Sequence, residues 1–422
     1  MINLRETLEK NKNIYIQHLS NLVAIDTHDL GHGIDGGFEI NGQKYMQSLF
    51  KEMDADEILI DSMKEEVIQK SIEHHDEGNP GHNYDNRYNV YATFKGKGGK
   101  SLMFNGHIDT MPAGNEELWS VHPHKSTIHD KKMYGLGVCD MKGGLMAATM
   151  AIKLLQDTGI DLPGDVKITS VVDEEGGGNG SILAAINGQK SDGVVVCEPT
   201  GDELILAHMG FVFFKVEVEG KAIQSGLKRL GVSAIEKAFK LVDALSELEH
   251  KWLMTYKHPL LPSPSLNVGT INGGTAGSTV AGKCSFKVCV HYLPKLMNKS
   301  IIEKEFTETI QRRSNGDEWL NEHPPKITIY QAGGAFEMDK EHSFVCTFID
   351  SYENALGKKV KIGGSPAGSD SRIWNNIAEC PTLQFGPGNL EQCHAVDEYL
   401  SIDAYLEAIL VYAYLILKWG KE

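Results

Sequence analysis

Two kinds of apolar pattern alternate along the chain. Residues 3–23 carry Leu4, Leu8, Ile14, Leu19 and Leu22 at roughly helical spacing, which predicts an amphipathic opening helix. Short apolar runs then alternate with longer periodic ones. Residues 90–94 and 101–105 read as strands, and 145–155 as a helix entered through Gly143 and Gly144. Residues 166–172 read as a strand followed by the glycines 176–178 and a helix, and 193–197 as another short buried strand. This alternation predicts an α/β sheet with helices on both faces. Residues 61–88 are polar and rich in His, Gly and Asn, and are expected to form a loop or surface excursion.

The pattern changes near Gly210. Residues 211–219 alternate as a strand, 232–248 form a long amphipathic helix, and 266–271 and 284–292 are strands. A helix over 299–313 and a strand over 326–331 complete a β-α-β-β-α-β order, the ferredoxin-like split unit. The α/β pattern then resumes, with a helix over 341–356, a strand over 382–385 and a last helix over 402–418. The expected organisation is a catalytic α/β domain made of 1–209 and 332–422, interrupted by a smaller domain, 210–331.

Charge narrows the partners. The chain has 57 acidic against 41 basic side chains and no basic stripe, so neither nucleic acid nor an anionic membrane is an expected partner. No stretch approaches the ~18 apolar residues of a membrane span. The N-terminus, MINLRETLEKNKNIY, lacks the apolar region of a secretory leader. Seven cysteines, an odd and scattered set without a CxxC pair, suit a reducing compartment. A cytoplasmic protein is therefore expected.

Carboxylates and imidazoles recur where strands end. His107 and Asp109 follow one strand, Asp173, Glu174 and Glu175 another, and Glu198 a third. His394 lies beyond a fourth strand and a Gly-Pro-Gly turn, and Asp140 sits in a glycine-flanked turn before a helix. Any one of these alone reads as a cap or a solvated turn residue. Together they fall where open α/β sheets gather ligands, at the carboxyl ends of the strands. Two imidazoles with even three of these carboxylates are too many for one tetrahedral catalytic zinc. They suit two ions that share a bridging carboxylate.

With these segments in view, the chain resembles the dinuclear zinc amidohydrolases and peptidases that include acetylornithine deacetylase, succinyl-diaminopimelate desuccinylase, aminoacylase and the carboxypeptidase G type. NGHIDTMPAG, YGLGVCDMKGG, VVDEEGGG, CEPT and GPGNLEQCHAVDEY follow that family's order and spacing. The resemblance implies a zinc-peptidase-like catalytic domain with an inserted ferredoxin-like lid, and a homodimer formed through the lid. It implies two Zn2+ per chain, with Co2+ or Mn2+ as substitutes. His107, Asp140 and Glu198 would hold one ion, and Asp140, Glu175 and His394 the other. Asp109 would orient the His107 imidazole, Glu174 would be the general base, and a cis peptide would follow Asp140. The implied reaction is metal-dependent hydrolysis of the amide of a small N-acyl substrate.

The inserted segment departs from the family. Gln224 stands where the family has the lid His of its Gly-x-x-x-His motif, Ser278 begins a Ser-Thr-Val-Ala where Asn precedes Val-Pro, and His291 replaces a strand Arg that commonly holds a substrate carboxylate. Arg372, in GSDSR, is a possible second anion binder. The changes read either as drift in a lid that needs only to pack or as altered substrate specificity, and we favour the second. Cys139, Cys197 and Cys393 each precede an expected ligand and are expected to be small buried fillers. Alternatives to a deacylase are a dipeptidase or exopeptidase, an N-formyl aminomethyl-pyrimidine deformylase of thiamin salvage, and a non-catalytic binding relative.

Overall fold

A computed structural model describes residues 4–422. It divides into two compact units. The first comprises 4–206, 338–364 and 369–422, and the second 207–337 with 365–368. Among the described residues no helix is long and apolar enough to cross a membrane.

The first unit is built on a mixed sheet. Its strands are β1 (Glu57–Ser62), β2 (Tyr88–Phe94), β3 (Gly99–His107), β4 (Gly164–Val171), β5 (Gly193–Val196), β6 (Glu203–His208, whose last residues begin the second unit) and a later strand, Thr382–Gln384. The spatial order is β6, 382–384, β5, β3, β4, β2, β1. The four middle strands run parallel, and the flanking pairs are antiparallel. Val194, Val195 and Val196 are all buried, as both faces of a parallel strand covered by helices require. One face is covered by α1 (Leu4–Val23), Gly143–Thr158 and Ile402–Trp419, which pack on one another. The opening helix thus matches the expected span; residue 3 of that span lies outside the described residues.

One expectation is corrected here. Residues 61–88 are not all loop: Glu57–Ser62 pairs with β2 as an edge strand and Glu65–His75 is a helix, whereas 76–87 are irregular. The helix is mostly exposed, so its polar composition hid it. Ile68 is fully buried, Ile72 packs beside it, and acids in the first turn and histidines in the last complement the helix dipole.

The second unit contains β7 (Gly210–Glu219), Ala234–Thr255, β8 (Ser265–Gly273), β9 (Lys283–Tyr292), Lys299–Asn315, and β10 (Lys326–Gly333). Its antiparallel sheet runs β8-β9-β7-β10, so the first strand lies between the third and the fourth, the ferredoxin-like arrangement. Strand alternation explains which face the helices cover. Val212, Phe214, Val216 and Val218 are buried, as are Phe286, Val288 and Val290 on β9, and the Phe214 ring stacks on Phe306 of Lys299–Asn315 at 3.9 Å.

Candidate active site and metal centre

The carboxyl ends of β3, β4, β5 and 382–384 bring the expected ligands together. His107 is the last residue of β3 and is 1% exposed. Its Nε2 lies 3.2 Å from Asp140 Oδ1 and 3.7 Å from Glu198 Oε1. His394 Nε2 lies 3.4 Å from Asp140 Oδ2 and 3.1 Å from Glu175 Oε2. Two groups of metal-type donors result, His107–Asp140–Glu198 and Asp140–Glu175–His394, each with its ligand atoms within 4.8 Å of one another. Asp140 belongs to both and turns a different oxygen toward each imidazole. Neither group includes a cysteine. Cys139 Sγ instead contacts the Asn389 carbonyl oxygen and Cys197 Sγ that of Val195.

The donor chemistry fits two divalent ions. Imidazole and carboxylate are the ligands of catalytic zinc sites. Without an ion, the carboxylates and imidazoles pair with one another by hydrogen bonds. Burial pushes against ionisation of Asp140, yet hydrogen bonds from His107 and His394 hold its carboxyl well below the usual range. Hydrogen bonds that His394 donates to Asp140 and Glu175 raise its imidazole to about 11.

Local structure explains how Asp140 is held. It follows Gly137, which has φ +75° and would bring a Cβ within 2.3 Å of Thr110, so only glycine fits that turn. The Asp140–Met141 peptide is cis. Glu398 then gathers the turn: its carboxylate accepts the main-chain N–H of Gly137, Cys139 and Asp140 at 2.7, 2.7 and 3.0 Å. The helix that follows starts hard against the end of β5, since a Cβ on Gly144 would fall 1.8 Å from the Cys197 carbonyl oxygen.

Glu174 belongs to neither donor group. Its Oε2 lies 3.9 Å from His107 Nε2. Burial raises its carboxyl well above the usual range, the Asp370 carboxylate adds to the rise, and the His107 imidazole opposes it. Asp173, though adjacent, turns away. It pairs with Arg87 at 2.9 Å and His82 at 2.8 Å in a buried network that also holds Glu39.

Asp109 and Arg372 have well-defined surroundings. The His107 ring is oriented by the main-chain carbonyl of Asp109, 2.9 Å from Nδ1, whereas the Asp109 carboxylate is 3.7 Å away and accepts the Glu175 N–H at 3.0 Å. Arg372, a possible anion binder in the sequence, is held by protein partners. It is 2% exposed, and its guanidinium donates to Glu77, to the Ser369 carbonyl and to the Gly177 carbonyl. It therefore braces the glycine turn that carries Glu174 and Glu175.

Within the second unit, Gln224 and Ser278 are neighbours. Gln224 pairs with Thr279 in a short bridge, and Ser225 N–H donates to the Ser278 carbonyl. His291 is not with them: it lies near the end of β9 remote from Lys283, on the sheet face away from the helices, with Nε2 3.4 Å from Cys289 Sγ. Burial lowers its pKa, so it is a neutral imidazole at pH 7.

Sequence reasoning passed over Glu398 and Asp370. Glu398 sits four residues beyond His394 in an irregular segment, where only an isolated buried acid marks it.

The family model for peptidase family M20/M25/M40 matches residues 103–418. The chain belongs to that family. It is 33% identical over 359 residues to N-formyl-4-amino-5-aminomethyl-2-methylpyrimidine deformylase of Halalkalibacterium halodurans, covering 78% of this chain and 83% of that one. It is 30% identical over 330 residues to acetylornithine deacetylase of Vibrio parahaemolyticus, covering 75% and 80%. The M20 family metallo-carboxypeptidase of Sulfolobus solfataricus shares the fold, with a TM-score of 0.77 at 16% identity over 97% of this chain and 99% of that one.

Proposed function

We propose that this member of the family hydrolyses the amide bond of a small N-acyl substrate that carries no free carboxylate, with two zinc ions as the resident metals and Co2+ or Mn2+ as substitutes. The carrying observation is the sharing of Asp140 between two His/carboxylate groups with one further carboxylate, Glu174, left beside them. Ions held there supply a water of lowered pKa and an electrophile for the carbonyl. Glu174, raised by burial, is suited to take the water's proton and return it to the departing amine. His107 and Glu198 would hold one ion, Glu175 and His394 the other, and Asp140 both.

The proposed substrate class rests on the state of the candidate anion binders. Arg372 is engaged in its own buried bonds, and His291 is neutral. A bidentate guanidinium–carboxylate grip, the usual way to hold such a group, is not available from either. The substrate in the name of the Halalkalibacterium halodurans relative is a formylated aminomethylpyrimidine, which has no carboxylate. An N-formyl amine of that type is the first substrate to test. An acetylornithine-like substrate is the second.

The unit 207–337 is proposed as a lid and as the surface of a homodimer. Gln224 is the proposed oxyanion donor: its Oε1 accepts the Gly226 N–H at 2.7 Å, which leaves the amide NH2 to donate. All seven cysteines are free, in keeping with a cytoplasmic setting.

The test is a hydrolysis screen of N-formyl, N-acetyl and N-succinyl amides, each with and without a carboxylate, scored by released amine. Turnover concentrated on the carboxylate-free members supports the proposal. Preference for acetylornithine or succinyl-diaminopimelate overturns the substrate class, and no turnover on any member favours a non-catalytic relative.

A further inference from the structure

A third group of metal-type donors lies in the first unit and shares no residue with the two around Asp140: Asp26, His28 and His124. We propose that it is a separate site for a first-row divalent transition ion such as zinc, built from two imidazoles and one carboxylate.

The geometry suits an ion. Asp26 Oδ1 lies 2.7 Å from His28 Nδ1 and 3.8 Å from His124 Nδ1. Ligand atoms at tetrahedral zinc, with bonds near 2.0–2.1 Å, are about 3.3 Å apart, and the two separations bracket that distance. All three residues are partly exposed, so an ion can enter and keep water on its open positions. Two imidazoles with one carboxylate favour zinc, copper, nickel or iron over magnesium or calcium, which prefer all-oxygen sites.

Both contributing segments are fixed by hydrogen bonds that leave out the three ligand atoms. His28 pairs with Thr110 in a parallel bridge, and its carbonyl accepts the Phe38 N–H at 3.0 Å. The carbonyl of Pro123 accepts the Leu136 N–H at 2.8 Å, and the His124 N–H donates to His122 Nδ1 at 3.1 Å. The ring of His28 rests against Phe38, with centroids 4.8 Å apart. An ion would join the chain just after the first helix to the segment around residue 124, nearly a hundred residues later. Two charged groups face the site from elsewhere. Lys142, whose ammonium donates to the Ile25 carbonyl, lies near Asp26, and Glu116 lies near His124. The lysine opposes a cation, so this site is weaker than the pair at Asp140.

Equilibrium dialysis of the purified protein against zinc chloride, with bound metal counted, tests the assignment independently of any hydrolytic activity. Wild type should take up two equivalents tightly and a third more weakly. His28→Ala and His124→Ala should each weaken the third about tenfold or more and leave the first two, with melting temperature reporting that the fold is kept. Asp140→Ala should do the reverse and keep the third. Zinc uptake that stops at two equivalents in wild type overturns the proposal. So does a third equivalent indifferent to His28→Ala and His124→Ala, which would be adventitious binding elsewhere on the surface.

Discussion

The carboxylate of Glu398 accepts the backbone N–H of Asp140 at 3.0 Å, and of Gly137 and Cys139 at 2.7 Å each. One buried side chain thus shapes the turn that delivers the shared ligand of both donor groups. Supporting contacts of this kind typically matter 10–100-fold for metal affinity. Glu398→Ala, which leaves three buried N–H groups without their acceptor, is expected to weaken retention of both ions by that order. Glu398→Gln keeps one acceptor oxygen and should lose less. Zinc affinity by competition with a chromophoric chelator reads this directly, and equal affinity in wild type and Glu398→Ala would refute the role.

The adjacent acids Glu174 and Glu175 should separate cleanly. Glu174→Gln is expected to retain both ions and lose about 10²–10⁴-fold in kcat, the usual contribution of a general base. Glu175→Gln removes the carboxylate beside His394 and should lose one ion. Metal content and kcat measured on both variants decide the matter, and exchanged phenotypes would reverse the assignment.

Metal binding should depend on pH in a defined sense. Hydrogen bonds to Asp140 and Glu175 raise His394 to about 11, and His107 is raised well above its usual range by Asp140 and the surrounding carboxylates despite burial. Both imidazoles are therefore protonated at pH 7, and a ligand imidazole must be neutral. Each ion has to displace a proton, so affinity rises with pH and falls as the solution is acidified. Loading the pair is expected to release at least about two protons, which corresponds to about a hundredfold in the product of the two affinities per pH unit. Calorimetry in buffers of different ionisation enthalpy counts the protons, and pH-independent affinity would contradict the account.

Arg372 separates a structural role from substrate binding. Removing one partner of a buried ion pair typically costs about 3–5 kcal/mol, and Arg372→Ala also leaves the carbonyls of Ser369 and Gly177 without their donor. The variant should unfold at a markedly lower denaturant concentration while the ratio of kcat/KM for matched substrates with and without a carboxylate stays unchanged. Normal stability with selective loss of the carboxylate-bearing substrate would restore Arg372 as a clamp.

How legible these features are in the sequence depends on how local their cause is. His107, Glu174, Glu175 and Glu198 follow apolar strands, and parallel strands deliver whatever follows them to one edge, so their convergence is readable without a structure. The helix Glu65–His75 is hard to read because it buries little, and its apolar signal, Val67, Ile68 and Ile72, is thin among charged neighbours. In the sequence Arg372 reads as a possible anion binder, because nothing in GSDSR announces its buried partners; only the packing shows them. Glu398 and the Asp26–His28–His124 group depend on segments meeting across hundreds and about a hundred residues respectively, with no spacing rule to announce them.

The central claim is that Asp140 is the ligand common to two ions. Elemental analysis of wild type and Asp140→Ala after removal of weakly bound metal, with circular dichroism to establish that both are folded, tests it most directly. Wild type should hold two equivalents tightly, and Asp140→Ala should lose both. An Asp140→Ala protein that still carries a full tight pair would contradict it.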